Sequence, residues 1–331
     1  MNIPITRRLL VAATLVITSA PGLSYAQSER VDNYPQRPIK LVVGIGAGST
    51  TDLLTRIAAR NLSEALKQPV VVENRPGAGG TLGAAAVATA PPDGYTLLFV
   101  SSSLPTFGHF YDNLKFDPVK DLVGAAGLAQ GGMVMLTRPG APWKNLAELV
   151  AYGKAKPDGT VSYASAGVGS IAYLYSELFA QNMGQKFLHV PYKSSAAALA
   201  DLLAGHVDFV FDGTTTAKPM IDAGKVQALA YSSNRRNPFL PQVPTMQEAG
   251  VKDFDQRTWF GISAPRGTPQ KILDRISKAS ATFTGQSAYR NELAGAAHEP
   301  MAMSAQAFER LVQDEARVWG KSIQQIRSNE K

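Results

Sequence analysis

Two similar α/β lobes, each built on a parallel sheet with flanking helices, are what this 331-residue chain predicts. Three observations carry that reading. Short apolar runs alternate with helical stripes in the order β-α-β-α-β, which calls for a parallel sheet with right-handed crossovers. The same order recurs after residue 160. The chain past its N-terminal segment, roughly 300 residues, also exceeds what one hydrophobic core usually holds.

The first lobe opens with a buried strand at Ile39–Val43. A helix follows, because Leu53, Leu54, Ile57, Ala58, Leu62, Ala65 and Leu66 fall on one face. Strands are expected at Val70–Glu73 and Thr96–Val100, with an alanine-rich helix from Leu82 to Thr89 between them and turn chemistry at Pro92-Asp93-Gly94. In the second lobe, Val161–Ala164, Phe187–Val190, Val207–Phe211 and Lys225–Tyr231 read as strands. Ile171, Leu174, Tyr175, Leu178 and Phe179 form a helical stripe, and Ala196 to Leu203 a further helix. The halves share architecture rather than residue identity. The tail returns to helices: Thr268 caps one that starts at Pro269, and Phe308, Leu311, Val312, Trp319, Ile323 and Ile326 mark the last. With no partner sheet of its own, the tail is expected to pack back on the first lobe. Lobe 1 is therefore drawn as 33–130 plus 245–331, lobe 2 as 131–244, and the chain crosses between them twice.

Residues 1–26 read as a signal peptide. Arg7 and Arg8 precede a short apolar run, and Ser24-Tyr25-Ala26 offers small residues to a signal peptidase. The run, about ten residues, is too short to span a bilayer, which needs ~20. Export to the periplasm is expected, by the general or the twin-arginine route. There is no cysteine, which rules out disulfides and thiolate sites and suits an oxidising compartment. The formal charge is +7, two of it from Arg7 and Arg8. The basic residues are scattered, with no aromatic-interleaved stripe of the kind nucleic acid demands.

Two glycine-hydroxyl loops stand out: Gly44-Ile45-Gly46-Ala47-Gly48-Ser49-Thr50-Thr51-Asp52 and Ser165-Ala166-Gly167-Val168-Gly169-Ser170. Each follows a strand and opens a helix, at the carboxyl edge where open parallel sheets bind ligands. Unpaired N–H groups and the positive end of the helix dipole point there. If the two loops face each other, a carboxylate fits between them. A P-loop is excluded, since Ser49-Thr50-Thr51 stands where its lysine would be. A dinucleotide fingerprint begins at Gly44-x-Gly46 but meets Ser49 at its third glycine. The plain alternative is tight turns and helix caps.

No catalytic constellation is visible: neither a nucleophile elbow nor a metal-ligand spacing among the four histidines, His109, His189, His206 and His298. Each histidine reads as a surface or core residue. Asp212 follows a strand at the same sheet edge, where it either caps the helix beginning near Thr214 or meets ligand. No catalytic residue, cofactor or metal is expected.

Val70-Val71-Val72-Glu73-Asn74-Arg75-Pro76-Gly77-Ala78-Gly79-Gly80 and Pro91-Pro92-Asp93-Gly94-Tyr95-Thr96-Leu97-Leu98 closely resemble the Bug family, the TctC-type solute receptors of tripartite tricarboxylate transporters. Tyr163 to Ser170, His189-Val190-Pro191-Tyr192-Lys193, Val207 to Asp212 and Val243-Pro244-Thr245 extend the likeness over the whole mature chain. The resemblance implies a two-lobed type II periplasmic binding fold that closes on a small mono- or dicarboxylate, binds it without turnover and hands it to membrane transporter components. Carried over, it puts Gly46, Gly48, Ser49, Thr50, Ser165, Ala166, Gly169, Ser170 and Asp212 at the ligand, with Ser101, Ser102 and Ser103 as further candidates. A monomer is expected, with no nucleic-acid partner. Aromatic acids, amino-dicarboxylates and citrate-like acids stay open. The family's first loop usually reads like Pro-Phe-Pro-Pro-Gly-Gly, and those prolines are missing here. Two rival roles remain, an exported oxidoreductase using the first loop and a receptor that presents ligand to a sensor kinase. Ser170→Ala is expected to weaken acid binding and leave the melting temperature of the ligand-free protein nearly unchanged.

Overall fold

The computed structural model describes residues 31–111 and 113–329. The chain divides after Tyr34 into two units, and the second, Pro35 onward, forms the fold below. The expected signal segment lies outside the described residues.

The first elements come in the predicted order: β1 (Ile39–Val43), α1 (Thr50–Leu66), β2 (Val70–Asn74), α2 (Thr81–Ala88) and β3 (Thr96–Ser101). β1 lies between β2 and β3 and pairs in parallel with both. Apart from Lys40 it is fully buried, as a central parallel strand covered on both faces must be. Ser49 caps α1 and Lys67 closes it in the left-handed conformation. The helix buries Leu54, Ala58, Leu62 and Leu66; Leu53, placed on that face by its spacing, turns outward.

A short helix, α3 (Phe107–Phe110), precedes β4 (Leu122–Gly131), which runs through Gly132 into β5 (Met133–Thr137). Next come α4 (Leu146–Lys154), β6 (Ser162–Ser165), α5 (Ile171–Met183), β7 (Leu188–Pro191), α6 (Ser195–Ala204), β8 (Phe209–Gly213), α7 (Thr214–Asp222) and β9 (Gln227–Tyr231). The chain ends with β10 (Thr258–Pro265), α8 (Gln270–Thr284), α9 (Ser287–Gly295), β11 (Glu299–Met303) and α10 (Ala305–Asn329). Two sheets result, ordered β11-β4-β10-β3-β1-β2 and β7-β6-β8-β5-β9.

Both sheets are mixed. The strands read from periodicity pair in parallel around β1 and β6, save β9, which lies antiparallel on β5. The strands that periodicity missed, β4, β5, β10 and β11, make the antiparallel pairs. β4 reads Leu-Val-Gly-Ala-Ala-Gly-Leu-Ala-Gln-Gly, a composition with weak strand preference. Its small residues serve packing instead. A Cβ on Gly124, Gly127 or Gly261 would lie 3.1 Å or less from the Phe308 ring, so α10 sits directly on these backbones.

Two local expectations change. Thr268 does not cap α8: its hydroxyl donates to the Pro265 carbonyl at 2.7 Å, and Pro269 takes the cap position. The last helix is not confined to the first sheet. Phe308 and Val312 join the first sheet's core, whereas Trp319 and Ile323 enter the second sheet's aromatic core with Tyr175 and Phe211. Met246, Val251 and Phe254 belong to that second core as well. Among the described residues, no helix is long and apolar enough to cross a membrane.

Candidate functional site

The N-termini of α1 and α5, one from each sheet, open on a single cavity between the two sheets. Ser49 Oγ accepts the Asp52 N–H at 3.2 Å and donates to the Gly46 carbonyl at 2.9 Å. Asp52 in turn accepts the Gly48 N–H at 3.0 Å, a reciprocal cap. Burial alone would raise the Asp52 pKa. Hydrogen bonds from Arg56, Asn74 and Gly48 outweigh that and hold it below the usual carboxylate value. The stiffness that prolines would lend is thus supplied by a buried carboxylate.

This capping decides which donors remain. Gly48 N–H and the Ser49 hydroxyl are spent within the loop, leaving the Thr50 and Thr51 N–H groups of the first turn. In α5, Ser170 Oγ accepts the Tyr173 N–H at 3.3 Å, which leaves those of Ile171 and Ala172. All four residues line the cavity. Two helix dipoles and two pairs of N–H groups therefore converge from opposite sides.

Of the residues expected at the ligand, Ser49, Thr50, Ser101, Ser103, Ala166, Ser170 and Asp212 line this cavity. The others do not line it. Gly46 approaches Ser194 of the second lobe, where a Cβ would come within 3.1 Å of that side chain. Gly48 is tied to Asp52. Ser102 is buried at the end of β3, with its N–H on the Trp259 carbonyl at 3.0 Å. Ser165 Oγ pairs with His189 Nε2 at 2.7 Å and accepts the Gly167 N–H at 3.1 Å. Gly169 packs on the Tyr111 ring. Because Ser170 is a helix cap, Ser170→Ala also removes cap stability, so an unchanged melting temperature is no longer expected.

Asp212 is buried, and its Oδ2 accepts the Thr216 hydroxyl at 2.5 Å. Burial pushes its pKa up to about 6, against opposing hydrogen bonds from Thr216 and the Gly213 N–H. Thr258 and Phe260, which no motif singles out, and His298, read from sequence as a surface or core histidine, also line the cavity. They arrive on β10 and just before β11, elements whose place in the sheet no local pattern announces. Thr51 belongs to the first glycine-hydroxyl loop and Ile171 to the helical stripe of α5; with Ala172 they line the cavity through the first turns of α1 and α5.

The lobes meet around the cavity. Thr50 Oγ1 lies 3.2 Å from Thr216 Oγ1. Tyr111 donates its hydroxyl to the Val168 carbonyl, and burial raises its pKa to about 12. Gly79, at φ 64°, faces the same carbonyl so closely that a Cβ would stand 2.4 Å from it. The structure is that of a closed cleft.

Two α/β lobes joined by two crossings and closed over a shared cavity define a periplasmic binding fold. The chain belongs to the tripartite tricarboxylate transporter family receptors, the TctC or Bug family, whose pattern it matches over residues 54–327. That is a family of periplasmic solute-binding receptors. Protein BugT of Bordetella pertussis is 38% identical over 273 residues, covering 82% of each chain. Two solved Rhodopseudomonas palustris proteins are similar throughout. One, solved with adipate, has a TM-score of 0.84 at 32% identity, covering 89% of this chain and 98% of its own. The other, MatC with bound malate, has a TM-score of 0.83 at 32% identity, covering 88% and 100%.

Proposed function

We propose that this protein is an exported receptor that closes on a small mono- or dicarboxylate and delivers it to a membrane transporter of the tripartite tricarboxylate type. The observation that carries the reading is the convergence of the α1 and α5 N-termini on one cavity. Their first-turn N–H groups suit a carboxylate oxygen pair, and among the described residues no lysine or arginine lines the wall. Adipate in one relative and malate in another support the same ligand class. Thr50, Thr51, Ser170, Ile171 and Ala172 hold the carboxylate in this reading, and Asp212 faces the rest of the ligand. Removal of residues 1–26 on export belongs to the proposal. So do the lobe limits: the core role of Met246, Val251 and Phe254 moves the second crossing from 245 to between Phe254 and Thr258.

A thermal-shift screen against carboxylic acids tests the reading. A ligand at 100 times its Kd stabilises the folded state by about 2.7 kcal/mol, enough to stand out. Sugars or cations shifting the transition while every acid fails would refute it.

A further inference from the structure

Two buried polar atoms in the cavity wall have no hydrogen-bond partner among the described residues: His298 Nε2 and Thr258 Oγ1. Both residues are at least nine-tenths buried, where an unmet polar group is costly. They come together at the crossing between lobes. Thr258 pairs with Gly131 in the β10–β4 register, and a Cβ on Gly131 would stand 3.0 Å from His298 Nε2.

The neighbours of the ring decide its tautomer. Nδ1 lies 2.9 Å from the Ala296 carbonyl. It also lies 3.3 and 3.2 Å from the Thr214 and Thr215 hydroxyls. Those hydroxyls give their protons elsewhere, to the Ala297 and Ala296 carbonyls at 3.0 and 2.7 Å. Every group facing Nδ1 therefore accepts, so Nδ1 carries the hydrogen and Nε2 presents a lone pair. Burial lowers the His298 pKa to about 4, which keeps the ring neutral at the pH of the periplasm. Asp212, the other titratable residue in this wall, is an acceptor too when ionised. A bare carboxylate would find only acceptors in these two side chains.

We propose that His298 and Thr258 form a second recognition point in the cleft, which reads a hydrogen-bond donor, a hydroxyl or an ammonium, on the carbon skeleton of the bound acid. The proposal rests on the carboxylate reading above and narrows it to hydroxy or amino acids over their plain counterparts. A hydroxyl donates to Nε2 and accepts from Thr258; an ammonium donates to both and to Asp212.

Calorimetry on the purified protein with matched trios tests it: propionate, lactate and alanine; succinate, malate and aspartate; glutarate, 2-hydroxyglutarate and glutamate. In the trio that binds, the hydroxy or amino member is expected to bind roughly tenfold or more tightly than the plain acid, the worth of one such hydrogen bond. The hydroxy and amino arms tell the two donors apart. His298→Asn keeps a donor near Ala296 but removes the Nε2 acceptor, and should shrink the gap to about threefold or less. His298→Gln, whose amide reaches the Nε2 position, should restore part of it. Thr258→Val should narrow the same gap and carries the test if the histidine variants fail to fold. Plain acids binding as tightly as their donor-bearing partners would overturn the proposal and leave the carboxylate reading standing, as would a gap unchanged in His298→Asn and Thr258→Val. Failure of every acid to bind would sink both.

Discussion

Asp212 shows how burial, more than residue type, sets the chemistry of a cleft. Its carboxyl has a pKa of about 6 because desolvation outweighs the hydrogen bonds from Thr216 and Gly213. At pH 7.5 it is ionised and opposes a second negative charge in the cavity. Below pH 6 it is neutral, while a typical ligand carboxylate stays ionised down to about 4. His298 has its pKa near 4 and stays neutral across this window. The affinity for an acid without an amino group should therefore tighten as pH falls from 7.5 to 5.5, and Asp212→Asn should flatten that dependence. Calorimetry at the two pH values checks this; a pH-independent wild type would remove Asp212 from the electrostatics of the site. For an amino acid ligand the sign reverses, because ionised Asp212 then attracts the ammonium.

At the scale of elements, closure depends on small residues where β8 runs into α7. A Cβ on Gly213 would stand 2.2 Å from Thr50 Oγ1 and 2.6 Å from Thr50 Cβ, across the gap between lobes. Its backbone, at φ −66° and ψ 144°, suits any residue, and the three atoms nearest an added Cβ all belong to Thr50 of the other lobe. Gly213→Ala should hold the lobes apart: ligand affinity falls by roughly tenfold or more, while the melting temperature of the ligand-free protein changes little. Small-angle scattering with saturating ligand should show a larger radius of gyration than wild type. Normal compaction on binding would show that the lobes close without this contact. Gly79→Ala would be harder to read, since its positive φ adds backbone strain.

For the whole molecule, α10 joins what the two sheets would leave as separate cores. Phe308 and Val312 pack with the first, Trp319 and Ile323 with the second. Glu315 lies between these contacts, and burial raises its pKa to about 7. The folded state thus holds this proton up to about pH 7, whereas the unfolded chain releases it near 4.5. Its linkage contribution lowers stability as pH rises from about 4.5 to 7 and is constant beyond. His298 and His189, each lowered to about 4 by burial, act oppositely, raising stability as pH climbs from about 4 to 6.5. Glu315→Gln should therefore raise the melting temperature at pH 8 by several degrees and do little at pH 4.5. An equal effect at both values would exclude the carboxylate as its source.

Much of the architecture is legible in the linear order of residues, because β1 to β3 and β6 to β9 are short apolar runs punctuated by glycine and helix caps. Those signals are local: a cap acts within four residues and a helical stripe within two turns. That locality is why both glycine-hydroxyl loops read as helix starts from sequence, and why Ser49, Thr50, Ser170 and, after β8, Asp212 are candidates that prove to line the cavity. It is also why Gly46, Gly48, Ser165 and Gly169, equally suggestive as residue types, gave no hint that capping or lobe contacts occupy them. The tertiary structure alone decided the rest. The bridging of both cores by α10 and the meeting of Thr258, Gly131 and His298 depend on strand pairing across more than a hundred residues. The energy for that pairing comes from burial of distant surfaces against each other, and no local window of sequence records it.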